Sequence, residues 1–143
     1  MTARELMDIV TQKALSELRL EGDGSIVRRS LFPELVTPSP LLARVLREQK
    51  PMLVEFLMYQ HEADRLLLES THRLAQAWPP GCPGLDEDAV WAEMEKQLTD
   101  AYWMVDLATL REAIERREEH VLAVFAAHRD HVRAPGKKID RGR

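Results

Sequence analysis

The sequence predicts an α+β protein, mostly α: a small αββαα head with a two-stranded antiparallel hairpin, followed by a C-terminal helical hairpin. Three observations predict this class. Only "SELRLEGDGSIVRR", Ser16 to Arg29, alternates with period two around a turn. The long stretches after it repeat apolar residues at three- and four-residue steps instead, which is the helical period. Prolines and glycines then cut those stretches into separate helices.

The chain starts on "TARE", a capping box in which Thr2 precedes Glu5 by three residues. Leu6, Ile9, Val10 and Ala14 follow at helical spacing, so a first helix is expected over residues 3–14. In "ELRLE", Leu18 and Leu20 face one way and Glu17, Arg19 and Glu21 the other, the pattern of a half-buried strand. Gly22 and Gly24 around Asp23 supply a tight turn. The return strand "SIVRR" carries Ile26 and Val27 side by side, so two pairing registers stay open. Three prolines in "LFPELVTPSPLL" exclude a strand or long helix, but the segment ends on a helix start. Thr37 or Ser39 is its cap, with Pro38 or Pro40 at the first helical position.

Leu41, Leu42, Val45 and Leu46 form a short stripe that Pro51 breaks or kinks. Residues 52–78 resume the helical period through Leu53, Phe56, Leu57, Ala63, Leu67 and Leu74. "WPPGCPG" ends that helix, and residues 78–85 make a rigid turn. Acids in "LDEDAVW" suit the positive end of the next helix, whose stripe is Val90, Met94, Leu98, Ala101 and Val105. Asp106 or Thr109 marks a turn before Leu110, Ile114, Val121, Val124 and Phe125. No proline or glycine interrupts residues 85–134, so one continuous helix is the rival. A helical hairpin is favoured, because a lone helix of that length needs a partner along all of it. The expected domains are a head over residues 1–58, a continuing helix and linker over 59–84, the helical hairpin over 85–133 and a basic tail over 134–143.

The net charge of −4 over 143 residues argues against a dedicated nucleic-acid binder. Its distribution is uneven. Residues 129–143 hold six basic and two acidic side chains, leaving the rest of the chain at −8. Arg133, Lys137, Lys138, Arg141 and Arg143 are therefore candidate phosphate contacts, although the tail carries no aromatic residue for stacking. Cys82 is the sole cysteine, so an internal disulfide is excluded and a cytoplasmic setting is expected. "MTARELMDIV" lacks the features of a secretory signal, and no apolar run is long enough for a membrane span.

Catalytic and metal chemistry find little support. His61 and His72, like His120 and His131, stand eleven residues apart, roughly 16 Å along a helix, too far to share a metal. Only His128 and His131 could chelate together, and Arg117 occupies the place where a di-iron helix would carry glutamate before His120. Cys82 has no neighbouring histidine, and the acids of "DEDAVWAEMEKQ" match an ordinary helix start. "EGDG" lacks the later acids of a calcium loop. No glycine-rich phosphate loop or nucleophile elbow is present. The expectation is a non-enzyme with no metal and no cofactor. Trp78, Trp91, Tyr102 and Trp103 read as core packing, with an interface role as the rival.

The first 58 residues resemble the N-terminal docking domain of the tubulysin-synthetase (TubC) type. The resemblance rests on "ELM" at Glu5–Met7, "LRLEGDGSIV" at Leu18–Val27, "TPSPLL" at Thr37–Leu42 and "REQKPMLVEFL" at Arg47–Leu57. Two departures stand out. "QKALSE" replaces the usual glycine between first helix and hairpin, and Ser39-Pro40 stands where Glu-Leu is usual. The resemblance implies a helix-hairpin-helix-helix head that dimerises and takes a partner's terminal segment along the hairpin. Unpaired groups on a strand edge give that role a physical basis. Leu18, Leu20 and Ile26 then belong to the core face, while Arg19, Glu21, Arg28 and Arg29 point outward and select a protein partner by charge. The leading expectation is thus a docking adaptor, with a homodimer as a candidate state and no membrane partner. The alternative is a nucleic-acid accessory protein of a larger mobile-element or defence complex, using the basic tail.

Overall fold

A computed structural model of the chain describes residues 1–32, 34 and 39–141, with side chains described as far as Val132. The chain divides into two compact units, residues 1–62 and 63–143. The first unit closes four residues beyond the head boundary expected from the sequence.

In the first unit, α1 (Ala3–Asp8) starts where the Thr2 hydroxyl accepts the Glu5 amide at 3.1 Å. It widens into a π-helical turn over Ile9–Lys13. The chain reverses at Leu15, whose φ of 46° lies in the left-handed region, where "QKALSE" offers no glycine. Strands β1 (Ser16–Leu20) and β2 (Ile26–Ser30) then pair antiparallel. Ser39 caps α2 (Pro40–Glu48) by accepting the Leu42 amide at 3.2 Å, and Pro40 takes the first helical position. Thr37 and Pro38, the alternative start, lie outside the described residues. Gln49 ends α2, and α3 (Lys50–Ala77) begins at once, with Pro51 in its first turn where a missing N–H costs nothing.

The core of this unit covers one side of the hairpin. Val10, Ala14 and Leu42 are buried together, and Ile9, Leu18 and Leu46 pack against them. The segment before the hairpin thus contributes to that cover as well as α2. Leu6, Leu53 and Phe56 are almost wholly excluded from solvent. Each such side chain is worth roughly 1.5–3 kcal/mol of burial.

The second unit contains the C-terminal part of α3, α4 (Ala89–Tyr102) and α5 (Leu107–Arg141). The helical hairpin, not the single long helix, is the observed form. Asp106 makes the break: its carboxylate accepts the Ala108 amide at 3.1 Å and the Thr109 hydroxyl at 2.8 Å. The intervening turn puts Val105 at a φ of 57°, an outlier for a β-branched residue. Leu74, Leu85, Val121 and Phe125 form a buried cluster, with Cys82 and Trp91 packed at its margin. Ion pairs join Arg73 to Glu118 and the buried Arg117 to Glu95, each at 2.9 Å, and a hydrogen bond of 3.1 Å joins His120 to Asp88.

The segment read as a basic tail has a helical backbone over residues 134–141. Its backbone continues α5 through Pro135 and Gly136 as far as Arg141. Pro135 deletes the ladder bond that would reach the His131 carbonyl, but the flanking alanine, lysines and arginines are strong helix formers.

Candidate docking site

The hairpin is shaped first by its turn. The Glu21 amide donates to the Ser25 carbonyl at 2.8 Å and the Gly24 amide to the Glu21 carbonyl at 3.0 Å. Gly24 holds a φ of 85°, which a side chain would strain. Asp23 fixes the tip by accepting the Ser25 hydroxyl at 2.6 Å and the Ser25 amide at 2.9 Å. Those two bonds, the hydroxyl first, hold its carboxyl below the usual carboxylate range.

Register then decides which groups are free. Ser16 pairs with Ser30, Leu18 with Arg28 and Leu20 with Ile26. The Leu31 amide bonds the Leu15 carbonyl, and Glu21 bonds Ser25, so the flanking odd-numbered pairs are the hydrogen-bonded ones. Alternation makes 17/29 and 19/27 hydrogen-bonded as well. The N–H and C=O groups of Leu18 and Leu20 therefore point to the outer edge of β1. Those of Ile26 and Arg28 point to the outer edge of β2. Among the described residues no third strand joins this sheet.

Beneath the strands lies a groove of about 210 Å³, lined by Leu18, Ser25, Ile26, Arg28, Leu46, Arg47 and Lys50. Its walls carry three cations and no acid. Its floor is aliphatic.

Arg19, Glu21 and Arg29 stand on the solvent side, as the alternation predicts. Arg19 pairs with Glu21 at 2.9 Å and Arg29 with Glu17, directly across the ladder, at 2.8 Å. Exposed pairs of this kind contribute about 0–1 kcal/mol and can be exchanged for a partner's charges at little cost. Arg28 does not belong with them. It lies opposite Leu18 on the half-buried face and donates to the Ser16 hydroxyl at 3.3 Å. The cause is register: Ile26 takes the inward position opposite Leu20, so parity turns Arg28 inward and leaves Val27 exposed on the outer face. Sequence reasoning passed over Val27, Arg47 and Lys50. The last two sit at the α2–α3 junction, and only the fold brings them to the hairpin. Of the phosphate-contact candidates, Arg133, Lys137, Lys138 and Arg141 have their backbone in α5, while their side chains and all of Arg143 lie outside the described residues.

Among the described residues no group of three histidine, cysteine or acidic side chains is placed to hold a metal ion. No helix among them is long and apolar enough to cross a membrane. Cys82 is a half-buried free thiol. No protein-family model matches the chain, and neither a curated protein nor a solved structure does.

Proposed function

We propose that this chain is a non-enzymatic docking adaptor that takes an extended segment of a protein partner along its β-hairpin. One observation carries the proposal: outward-facing backbone groups of Leu18, Leu20, Ile26 and Arg28 stand beside a groove whose charged residues are all basic. An added strand would satisfy those groups, and main-chain bonding of this kind supplies affinity without demanding one sequence. Selectivity would come from Arg28, Arg47 and Lys50, which favour acidic side chains in the incoming strand. The apolar floor formed by Leu18, Ile26 and Leu46 would accept its alternate, aliphatic residues. A two-stranded sheet has two edges, so one can pair with a second copy of the head while the other receives the partner.

The test is selection of extended peptides from a random library on the purified protein, followed by amide chemical-shift mapping of the bound form. Enrichment of acidic–aliphatic sequences that shift the amides of Ile26 and Arg28, or of Leu18 and Leu20, is the expected result. Selected peptides that leave both edges unperturbed would overturn the proposal.

A further inference from the structure

The sequence gives the basic C-terminal segment no aromatic partner, but the fold supplies one. Where the linker leaves α3, Trp78 and Pro80 stand against the α5 residues His128, Arg129 and Val132, enclosing a groove of about 520 Å³. This is within the range of ligand-binding clefts. The Trp78 ring is fixed rather than loose. Its indole N–H donates to the Cys82 carbonyl at 3.0 Å, and its ring packs on Phe125 with centroids 4.9 Å apart. The residue is nonetheless 40 % exposed. A held, part-exposed aromatic ring therefore lines the groove.

Charge stands beside it. Arg129 is exposed and has no ion-pair partner among the described residues. It is also the first residue of the segment that carries six basic and two acidic side chains. Positions 133, 137 and 141 follow Arg129 at four-residue steps along α5, each an arginine or lysine. The pattern is a stacking platform at the head of a basic row. An acidic peptide would use the charges and leave the ring idle. A duplex would keep its base faces stacked away from the ring.

We infer that this groove binds single-stranded nucleic acid, with a base stacked on Trp78 and the adjoining phosphates on Arg129 and the basic row beyond it. The inference is independent of the docking proposal. It rests on the second unit and is read by a different ligand, so either can fail alone.

The experiment is fluorescence anisotropy of the full chain with labelled oligo(dT), oligo(U) and a duplex, each of about 20 nucleotides per strand, at about 50 and about 200 mM salt. Both single strands should bind more tightly than the duplex, and binding should weaken with salt. Trp78→Leu should reduce single-strand affinity about fivefold or more. Trp78→Phe, which keeps a π face, should retain most of it. Arg129→Gln, an exposed change that leaves the fold intact, should lower the slope of log affinity against log salt by about 0.7. Whether oligo(dT) or oligo(U) binds more tightly assigns the site to DNA or RNA. Absence of single-strand binding at the lower salt would overturn the inference. So would an unchanged salt slope in Arg129→Gln, or equally tight capture of a polyglutamate peptide that Trp78→Leu leaves unaffected.

Discussion

Removing Glu95 should destabilise this protein more than removing Arg117, although Arg117 is the buried member of the pair. Arg117 is 8 % exposed. Its guanidinium donates to Glu95 at 2.9 Å and to the buried Ser70 hydroxyl at 3.3 Å, and lies 5.7 Å from the centre of the Trp91 ring. Its Nε has no partner among the described residues. Glu95→Ala strands this cation without a counter-ion. Breaking a buried pair in that way costs about 3–5 kcal/mol. The Glu95 side chain is itself 42 % exposed, so water reaches that side and about 2–3 kcal/mol is the better figure. Arg117→Met removes the buried charge and the unpartnered Nε together and keeps the apolar stem. It forfeits the contact with Trp91 and one donor to Ser70, and should cost about 1 kcal/mol. Urea unfolding followed by circular dichroism measures both. With a slope of about 1–3 kcal/mol per molar urea, Glu95→Ala should lower the midpoint by about 0.7–3 M. The reverse ordering, or a loss below about 0.5 kcal/mol for Glu95→Ala, would refute the reasoning that a stranded cation outweighs lost contacts.

Backbone strain gives a second prediction: Val105→Gly should stabilise by about 0.5–1 kcal/mol, because relief of a left-handed β-branched residue exceeds the added chain entropy. A higher thermal midpoint checks it. Gly24→Ala should do the opposite at the hairpin tip, costing about 1 kcal/mol, since its φ of 85° is one that alanine rarely adopts. Asp88 makes stability depend on acid. The Trp91 amide, and then the His120 ring, hold its carboxyl below the usual carboxylate range. A depressed folded pKa contributes stability above the unfolded value of about 3.9, and that contribution is lost as pH falls through the folded value. Asp88→Asn still caps α4 but cannot titrate, so its urea midpoint should fall less than the parent's between about pH 5 and pH 2.

Elements with strong local determinants were legible in the sequence. Thr2, Asp106 and Ser39 act as caps because their hydroxyl or carboxylate groups satisfy amides two or three residues on; the sequence singles out Thr2 and leaves Ser39 beside Thr37 and Asp106 beside Thr109 as alternatives. Pro51 and the proline–glycine linker mark helix ends for equally local reasons. The strand register was not legible, since Ile26 and Val27 offer the same apolar surface, and only the fold sets Ile26 opposite Leu20 and beside Leu18 and Leu46. One step of parity then turns Arg28 from an expected surface residue into part of the groove wall. Long-range pairings were equally silent. Arg73 sits at four-residue intervals from Glu69 and Arg65, yet its carboxylate partner is Glu118 on another helix. Trp78 reads as core packing just before the proline–glycine stop, and its place beside Arg129 follows from a fold that no local pattern encodes.

The most direct test of the docking account is amide hydrogen exchange across the hairpin in the dilute, unliganded protein. The amides of Arg19, Val27 and Arg29 point into the ladder and should exchange slowly, while those of Leu18, Leu20, Ile26 and Arg28 should exchange almost as freely as an unstructured chain. Equal protection of both sets on both strands would mean that the edges are already closed, and would contradict the proposal that a partner's strand completes this sheet.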